Sequence, residues 1–245
     1  MRILVFQHVP VEHPGIFREF WAEHGHAWQA VELDAGEPIP QSDDFDLLVV
    51  MGGPMDVWQE DRHPWLVAEK AAIRRWVMDL GRPFLGICLG HQLLADALGG
   101  QVTPMARPEV GLAEVDLTPD GQRDPLLAGF RTSSETFQWH GAEVSRLPAG
   151  ATVLAANAAC PVQAMRWGRH AYGFQYHVEI TASTVSDWQQ IPEYKASLQQ
   201  ALGPERASQL AEAVGGRLAT FRDAARRLDR NMSAIVDAAT VAAAR

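Results

Sequence analysis

Cysteine is scarce in this chain of 245 residues, which carries only Cys88 and Cys160. Two distant thiols provide neither a disulfide framework nor the paired spacing of a zinc site. Long hydrophobic runs are missing too. No stretch approaches the roughly 20 apolar residues that a membrane-spanning helix needs. The opening run, Met1 to Phe6, is too short for the core of a signal peptide, and the polar Gln7 and His8 follow it at once. Clusters of basic residues are also lacking: the net charge is −9 and the Lys and Arg residues are scattered, which disfavours nucleic acid and anionic membrane surfaces as partners. There is no repeat, low-complexity tract or long linker. These absences leave the expectation of a soluble cytoplasmic protein, a single domain over residues 1–245, acting on a small polar substrate without a metal or cofactor.

What is present can build a core, since 47% of the residues are hydrophobic. Ile3 to Phe6, Leu47 to Met51 and Phe84 to Ile87 are short apolar runs, the last two followed by Gly-Gly-Pro and by Cys88-Leu89-Gly90, and read as buried parallel strands. Between them, Ile16, Phe17, Phe20 and Trp21, and then Trp65 to Leu80, fit one face of a helix. Leu89 to Leu98 reads as a further helix stopped by Gly99-Gly100. Strands alternating with helices predict an α/β fold, a doubly wound and mostly parallel sheet flanked by helices. From Gln101 to Tyr176 short β-rich pieces between Pro and Gly turns predict an added small antiparallel layer. From about Ser183 to residue 245 the spacing of Leu198, Leu202, Leu210, Val214, Leu218 and Phe221 predicts two or three packed helices beyond a core of about residues 1–180.

Gly86-Ile87-Cys88-Leu89-Gly90 has the spacing of a sharp strand-to-helix turn around a nucleophile. Such a turn exposes the side chain and sets the sulfur at a helix N-terminus, where unpaired N–H groups favour thiolate. Taken alone, Cys88 reads equally well as a small buried hydrophobe. His177 and Glu179, in Tyr176-His177-Val178-Glu179, follow an apolar run. Residues i and i+2 of an extended chain share a side, so the carboxylate can orient the imidazole while its other nitrogen faces a thiol. Alone, the pair reads as a surface contact. It also opens the motif of zinc deaminases, but that motif requires later cysteines and none follows Glu179.

Attack on an amide creates an oxyanion that needs preset N–H donors. The N–H of Leu89, next to the nucleophile, is one candidate. The Gly52-Gly53-Pro54 turn after a strand could supply the other, because glycine lets the main chain approach a ligand; alone it is an ordinary turn.

Together with Gln7-His8-Val9-Pro10 and Trp139-His140-Gly141, these motifs resemble the class I, or triad-type, glutamine amidotransferases, especially stand-alone relatives of the amidotransferase half of GMP synthase. The resemblance covers about residues 1–180. It implies a flavodoxin-like fold, Cys88 as nucleophile, His177 as base, Glu179 as orienting acid, and the N–H groups of Gly53 and Leu89 as oxyanion hole. It further implies that Gly52, Gln92, Trp139 and His140 hold the substrate.

The chain departs from the family pattern in reading Val178 for proline, Ala142 for aspartate and Leu112 for tryptophan. Valine keeps the extended backbone, whereas Ala142 removes a carboxylate that could orient a substrate amine. His24 and His26 read as solvated, and Cys160 as structural. The expected reaction is hydrolysis of the glutamine γ-amide, with ammonia passing to an acceptor on a separate synthetase, since no nucleotide-binding motif accompanies the pattern. Two alternatives stay open: a γ-glutamyl peptidase, and a glutamine-binding regulatory protein without catalysis.

Overall fold

The computed structural model describes residues 1–41 and 44–243; the final two positions of the expected C-terminal helices lie outside them. Apolar runs become strands where both faces are covered. β1 (Arg2–Gln7), β3 (Leu47–Val50) and β4 (Phe84–Ile87) are almost wholly buried and pair in parallel with one another. β2 (Ala27–Glu32) pairs in parallel with the free side of β1. It carries few buried residues, as suits an edge strand, and no apolar run announces it. β9 (Ala171–Phe174) lies parallel to β4 on the other side.

The strands between β4 and β9 extend this sheet instead of stacking on it. β5 (Gln101–Leu117), β6 (Ser133–Arg146), β7 (Ala151–Ala156) and β8 (Ala164–Trp167) join antiparallel at the β9 edge. The result is one nine-stranded sheet in the order β2-β1-β3-β4-β9-β8-β7-β5-β6. The expected antiparallel addition is thus present as a continuation of the main sheet, with β9 as the shared strand. The expectation of short pieces is corrected, because β5 runs for 17 residues. Its prolines suggested breaks, but the strand absorbs them in a register shift between Pro104 and Glu109.

Helices close both faces. α1 (Phe17–Glu23) and α6 (Leu218–Ala243) belong to one side, where Phe17, Trp21, Leu228 and Met232 share a core with Ile3, Val5, Val49 and Ile87. α2 (Trp65–Arg74), which widens into a π-helical turn over Arg75–Asp79, and α3 (Leu89–Ala97) cover the other with Leu66, Ile73 and Leu93. Gly99, at φ 85°, follows the end of α3, the left-handed stop that glycine favours. α4 (Thr184–Trp188) and α5 (Pro192–Gly215), the latter kinked at Gly203, enclose a third cluster around Trp139, Trp188 and Tyr194. Among the described residues no helix is long and apolar enough to cross a membrane.

Candidate active site

The sheet brings Cys88 and His177 to neighbouring strand ends. β4 and β9 are in register with Ile87 opposite Phe174, and the Cys88 N–H donates to the Phe174 carbonyl at 2.8 Å. The turn after β4 is tight enough to force Cys88 to φ 51° and ψ −104°, making it the only non-glycine residue with positive φ among the described residues. Both flanking glycines are required by space. A Cβ on Gly90 would stand 2.1 Å from the Val50 carbonyl oxygen, and one on Gly86 would stand 2.4 Å from that of Gly90.

Cys88 is only 5% exposed, so the turn does not display it as the sequence pattern led us to expect. The Trp139 carbonyl, 3.8 Å from Sγ, and the Gln175 amide, 3.7 Å away, cover it. Burial pushes the thiol pKa up, against the pull of His177 toward the thiolate.

His177 lies just beyond β9, held by its N–H to the Phe137 carbonyl at 2.8 Å. Its Nδ1 meets Glu179 Oε1 at 2.8 Å, and the second carboxylate oxygen accepts from the Val178 N–H at 2.9 Å. The valine in place of proline thus supplies an N–H that proline lacks. His177 Nε2 has no hydrogen-bond partner among the described residues. The Trp188 ring packs edge-on against the imidazole, with centroids 4.5 Å apart. Burial alone would lower the pKa of His177, but the Glu179 charge and Cys88 outweigh it and hold the imidazole well above its ordinary value.

Gly53 lines the same cavity as Cys88, and Leu89 follows Cys88 in the chain. Neither the Gly53 N–H nor the Leu89 N–H has a hydrogen-bond partner among the described residues, and a Cβ on Gly53 would come within 2.9 Å of Leu89 Cδ2. Cys88, Gly53, Gln92, Trp139 and His140 line one cavity of about 160 Å³, together with Asp56, Glu193 and Tyr194. Gly52 and Leu89 do not line it. The Gly52 carbonyl instead accepts from His8.

The polar groups of Gln92 and His140 are partly committed. The Gln92 amide donates to Ala142 O at 3.2 Å and to Gln175 Oε1 at 3.1 Å. His140 bridges Ala142 O and Glu109. Trp139 is fixed by its indole N–H to Ser197.

Three neighbours escaped the sequence reading. Gln175 sits two residues before His177, and that spacing could have drawn attention to it. Tyr194 and Glu12 carry no local mark. Tyr194 donates its hydroxyl proton to the buried Glu12, whose other oxygen has no partner among the described residues. Donor atoms of Glu12, His177 and Glu179 come within 4.8 Å of one another, yet the His177 to Glu179 and Tyr194 to Glu12 bonds already occupy half of that cluster. Away from the site, His24 is half exposed with Asp229 at 3.9 Å. Cys160 is buried, which pushes its thiol up to about 12.

The family model of Glutamine amidotransferase class-I matches residues 21–187. The chain is 33% identical over 195 residues to the glutamine amidotransferase-like protein YfeJ of Salmonella typhimurium, covering 76% of this chain and 78% of that one. It is 34% identical over 153 residues to a subunit of the glutamine-hydrolyzing GMP synthase of Sulfolobus acidocaldarius, covering 62% of this chain and 77% of that one. The crystal structure of a glutamine amidotransferase from Thermotoga maritima superposes with a TM-score of 0.84 at 27% identity, over 96% of this chain and 98% of that one. A strained cysteine turn beside a buried His-Glu pair, on a fold shared end to end with such a structure, is thus accompanied by a family match over more than half the sequence: the chain belongs to the class I glutamine amidotransferases, a family of enzymes.

Proposed function

We propose that this enzyme hydrolyses the γ-amide of glutamine through Cys88, His177 and Glu179. The observation that carries the reading is the convergence of the strained Cys88 turn with a His177 whose Nδ1 is held by Glu179 at 2.8 Å and whose Nε2 is left without a partner among the described residues. A base with one nitrogen oriented and the other unengaged, beside a thiol, is the arrangement of an activated nucleophile.

In the proposed reaction His177 Nε2 takes the thiol proton as Sγ bonds to the γ-carbonyl carbon. The resulting oxyanion accepts from the Gly53 and Leu89 N–H groups, which have no other partner among the described residues to give up. Collapse breaks the C–N bond, and the nitrogen leaves as ammonia with the proton from His177. Water then adds to the γ-glutamyl thioester, giving its proton to His177. The C–S bond breaks, glutamate leaves, and the proton returns to sulfur. The cavity of about 160 Å³ beside Cys88 has room for the side chain of an amino-acid amide. Gln92, Trp139 and His140 shape its wall. Ala142 offers no side-chain carboxylate there, and Asp56 and Glu193 bring the acidic groups that an α-ammonium needs.

The ammonia is proposed to pass to a synthetase on a separate polypeptide, in keeping with the Sulfolobus relative being named as one subunit of its GMP synthase. The test is release of glutamate and ammonia from glutamine by the purified protein, alone and with cell extract, beside turnover of γ-glutamyl dipeptides. Cys88→Ala is expected to lose at least about 10³-fold in kcat, and intact protein quenched during turnover is expected to carry a γ-glutamyl mass on Cys88. Undiminished activity in Cys88→Ala rules out the nucleophile. Faster turnover of dipeptides than of glutamine favours the peptidase, and no reaction of Cys88 with glutamine-like electrophiles under any condition favours a binding role without catalysis.

A further inference from the structure

His8 and Glu69 form a wholly buried hydrogen-bonded pair outside the cavity that holds Cys88, each 0% exposed. His8 follows β1, and Glu69 projects from α2. The imidazole Nε2 meets Glu69 Oε1 at 2.9 Å, and Nδ1 meets the Gly52 carbonyl oxygen at 2.8 Å. Trp65 stacks on the ring, with centroids 5.4 Å apart and planes 16° apart. A carbonyl oxygen only accepts, so Nδ1 must carry a proton. With Nδ1 protonated, the contact between Nε2 and a carboxylate needs a second proton, which makes the ring an imidazolium or the acid neutral. Burial by itself disfavours the charged ring, but Glu69 outweighs it and raises the pKa of His8.

The Gly52 to Gly53 peptide is trans, as are all the others among the described residues. Its C=O and N–H therefore point in opposite directions in one plane. Glycine on both sides leaves that plane free to rotate unless something grips it. The only hydrogen bond that grips the carbonyl among the described residues comes from His8, and the opposite edge of the same plane is the Gly53 N–H, which has no partner among them and belongs to a residue lining the Cys88 cavity. Packing reinforces the grip, since a Cβ on Gly53 would stand 3.1 Å from His8 Cβ.

We propose that the buried His8 and Glu69 pair is a positioning device for catalysis: by holding the Gly52 carbonyl from behind, it aims the Gly53 N–H at the oxyanion that forms on the substrate. This rests on the reading of Cys88 as nucleophile and Gly53 as oxyanion donor. His8 touches no substrate. Its effect is confined to steps that develop negative charge on a carbonyl oxygen.

That confinement defines the test. Wild type, His8→Ala, His8→Phe, His8→Asn, Glu69→Gln and Cys88→Ala are assayed with glutamine and with p-nitrophenyl acetate, whose attack by a thiol also passes through an oxyanion. Each protein with a thiol at 88 is also alkylated with iodoacetamide, a displacement at saturated carbon that forms none. His8→Ala is expected to lower kcat on the order of 10²- to 10³-fold, the effect of one oxyanion donor, with KM and the alkylation rate within about threefold of wild type. His8→Asn, whose amide can replace Nδ1 as donor, is expected to recover at least about tenfold of the loss. His8→Phe, which keeps a ring against Trp65 but has no donor, is a second variant expected to show the same split between kcat and alkylation, whereas Glu69→Gln, whose amide can donate to Nε2 and so keep the proton on Nδ1, is expected to stay within about tenfold of wild type. Unchanged kcat in His8→Ala or His8→Phe with an inactive Cys88→Ala overturns the positioning role and leaves the catalytic reading standing, and so does a parallel fall in kcat and alkylation. An active Cys88→Ala overturns the catalytic reading, and this one with it.

Discussion

Glu12 sets a carboxylate 1% exposed beside His177 and Glu179, with a single hydroxyl from Tyr194 to satisfy it. Burial is the main reason that its pKa rises from 4.5 to about 7; the nearby Glu179 charge adds to the rise, and His177 and Tyr194 restrain it. A raised acid binds its proton more tightly in the folded chain than in the unfolded one. Its contribution to stability is therefore complete below about pH 4.5 and is lost as pH climbs through about 7. The span corresponds to about 3 kcal/mol. Glu12→Gln, which cannot ionise, is expected to gain on wild type by an amount of that order between pH 5 and pH 8, read as the difference in urea unfolding free energy. A difference that stays flat across this range would show that Glu12 does not titrate there.

At the scale of elements, the turn from β4 to α3 converts two glycines into a requirement of packing. The distance of 2.1 Å from a Cβ on Gly90 to a main-chain oxygen leaves no side-chain motion to relieve it. Gly90→Ala is expected to cost at least about 3 kcal/mol, seen as a lower urea midpoint or loss of cooperative unfolding; an unchanged midpoint would contradict the close approach. This turn was legible in the sequence because its constraint is local, and the same holds for His177 and Glu179, two residues apart on one extended segment. β1, β3 and β4 were legible because burial on both faces leaves an apolar run. β2 was not, since its outer edge is unpaired and Trp28 is 40% exposed. The length of β5 was hidden by prolines that the strand accommodates at a register shift. Glu12 and Tyr194, 182 positions apart, meet only through the packing of α4 and α5 against the sheet, and no local pattern encodes that. His8 stood inside a recognised motif, but its grip on Gly52 depends on how β1 and β3 lie side by side.

Across the whole molecule, the C-terminal helices are part of the core that supports the sheet. Ala225, Leu228, Met232 and Val236 of α6 share a cluster with residues of β1, β3 and β4, and the Trp21 indole donates to Asp229 at 3.0 Å. The exposed pairs of Arg222 with Glu19 and Arg226 with Glu23 decorate the same contact, where solvent screens them and they add little. A chain ending at residue 216 is thus expected to lose cooperative thermal unfolding and to aggregate, whereas Arg222→Ala should barely move the midpoint; a truncated chain with a sharp native transition would mean that the sheet stands without α6. The order of strands carries a further consequence for how such an enzyme comes into being. The segment bearing Cys88 is made early, but the strand that delivers His177 and Glu179 takes its place beside β4 only after the long antiparallel excursion is complete. On the proposed mechanism, a growing or clipped chain that stops before residue 171 holds the thiol turn without the base and acid assigned to it, so reactivity of Cys88 is expected only once β9 is in place.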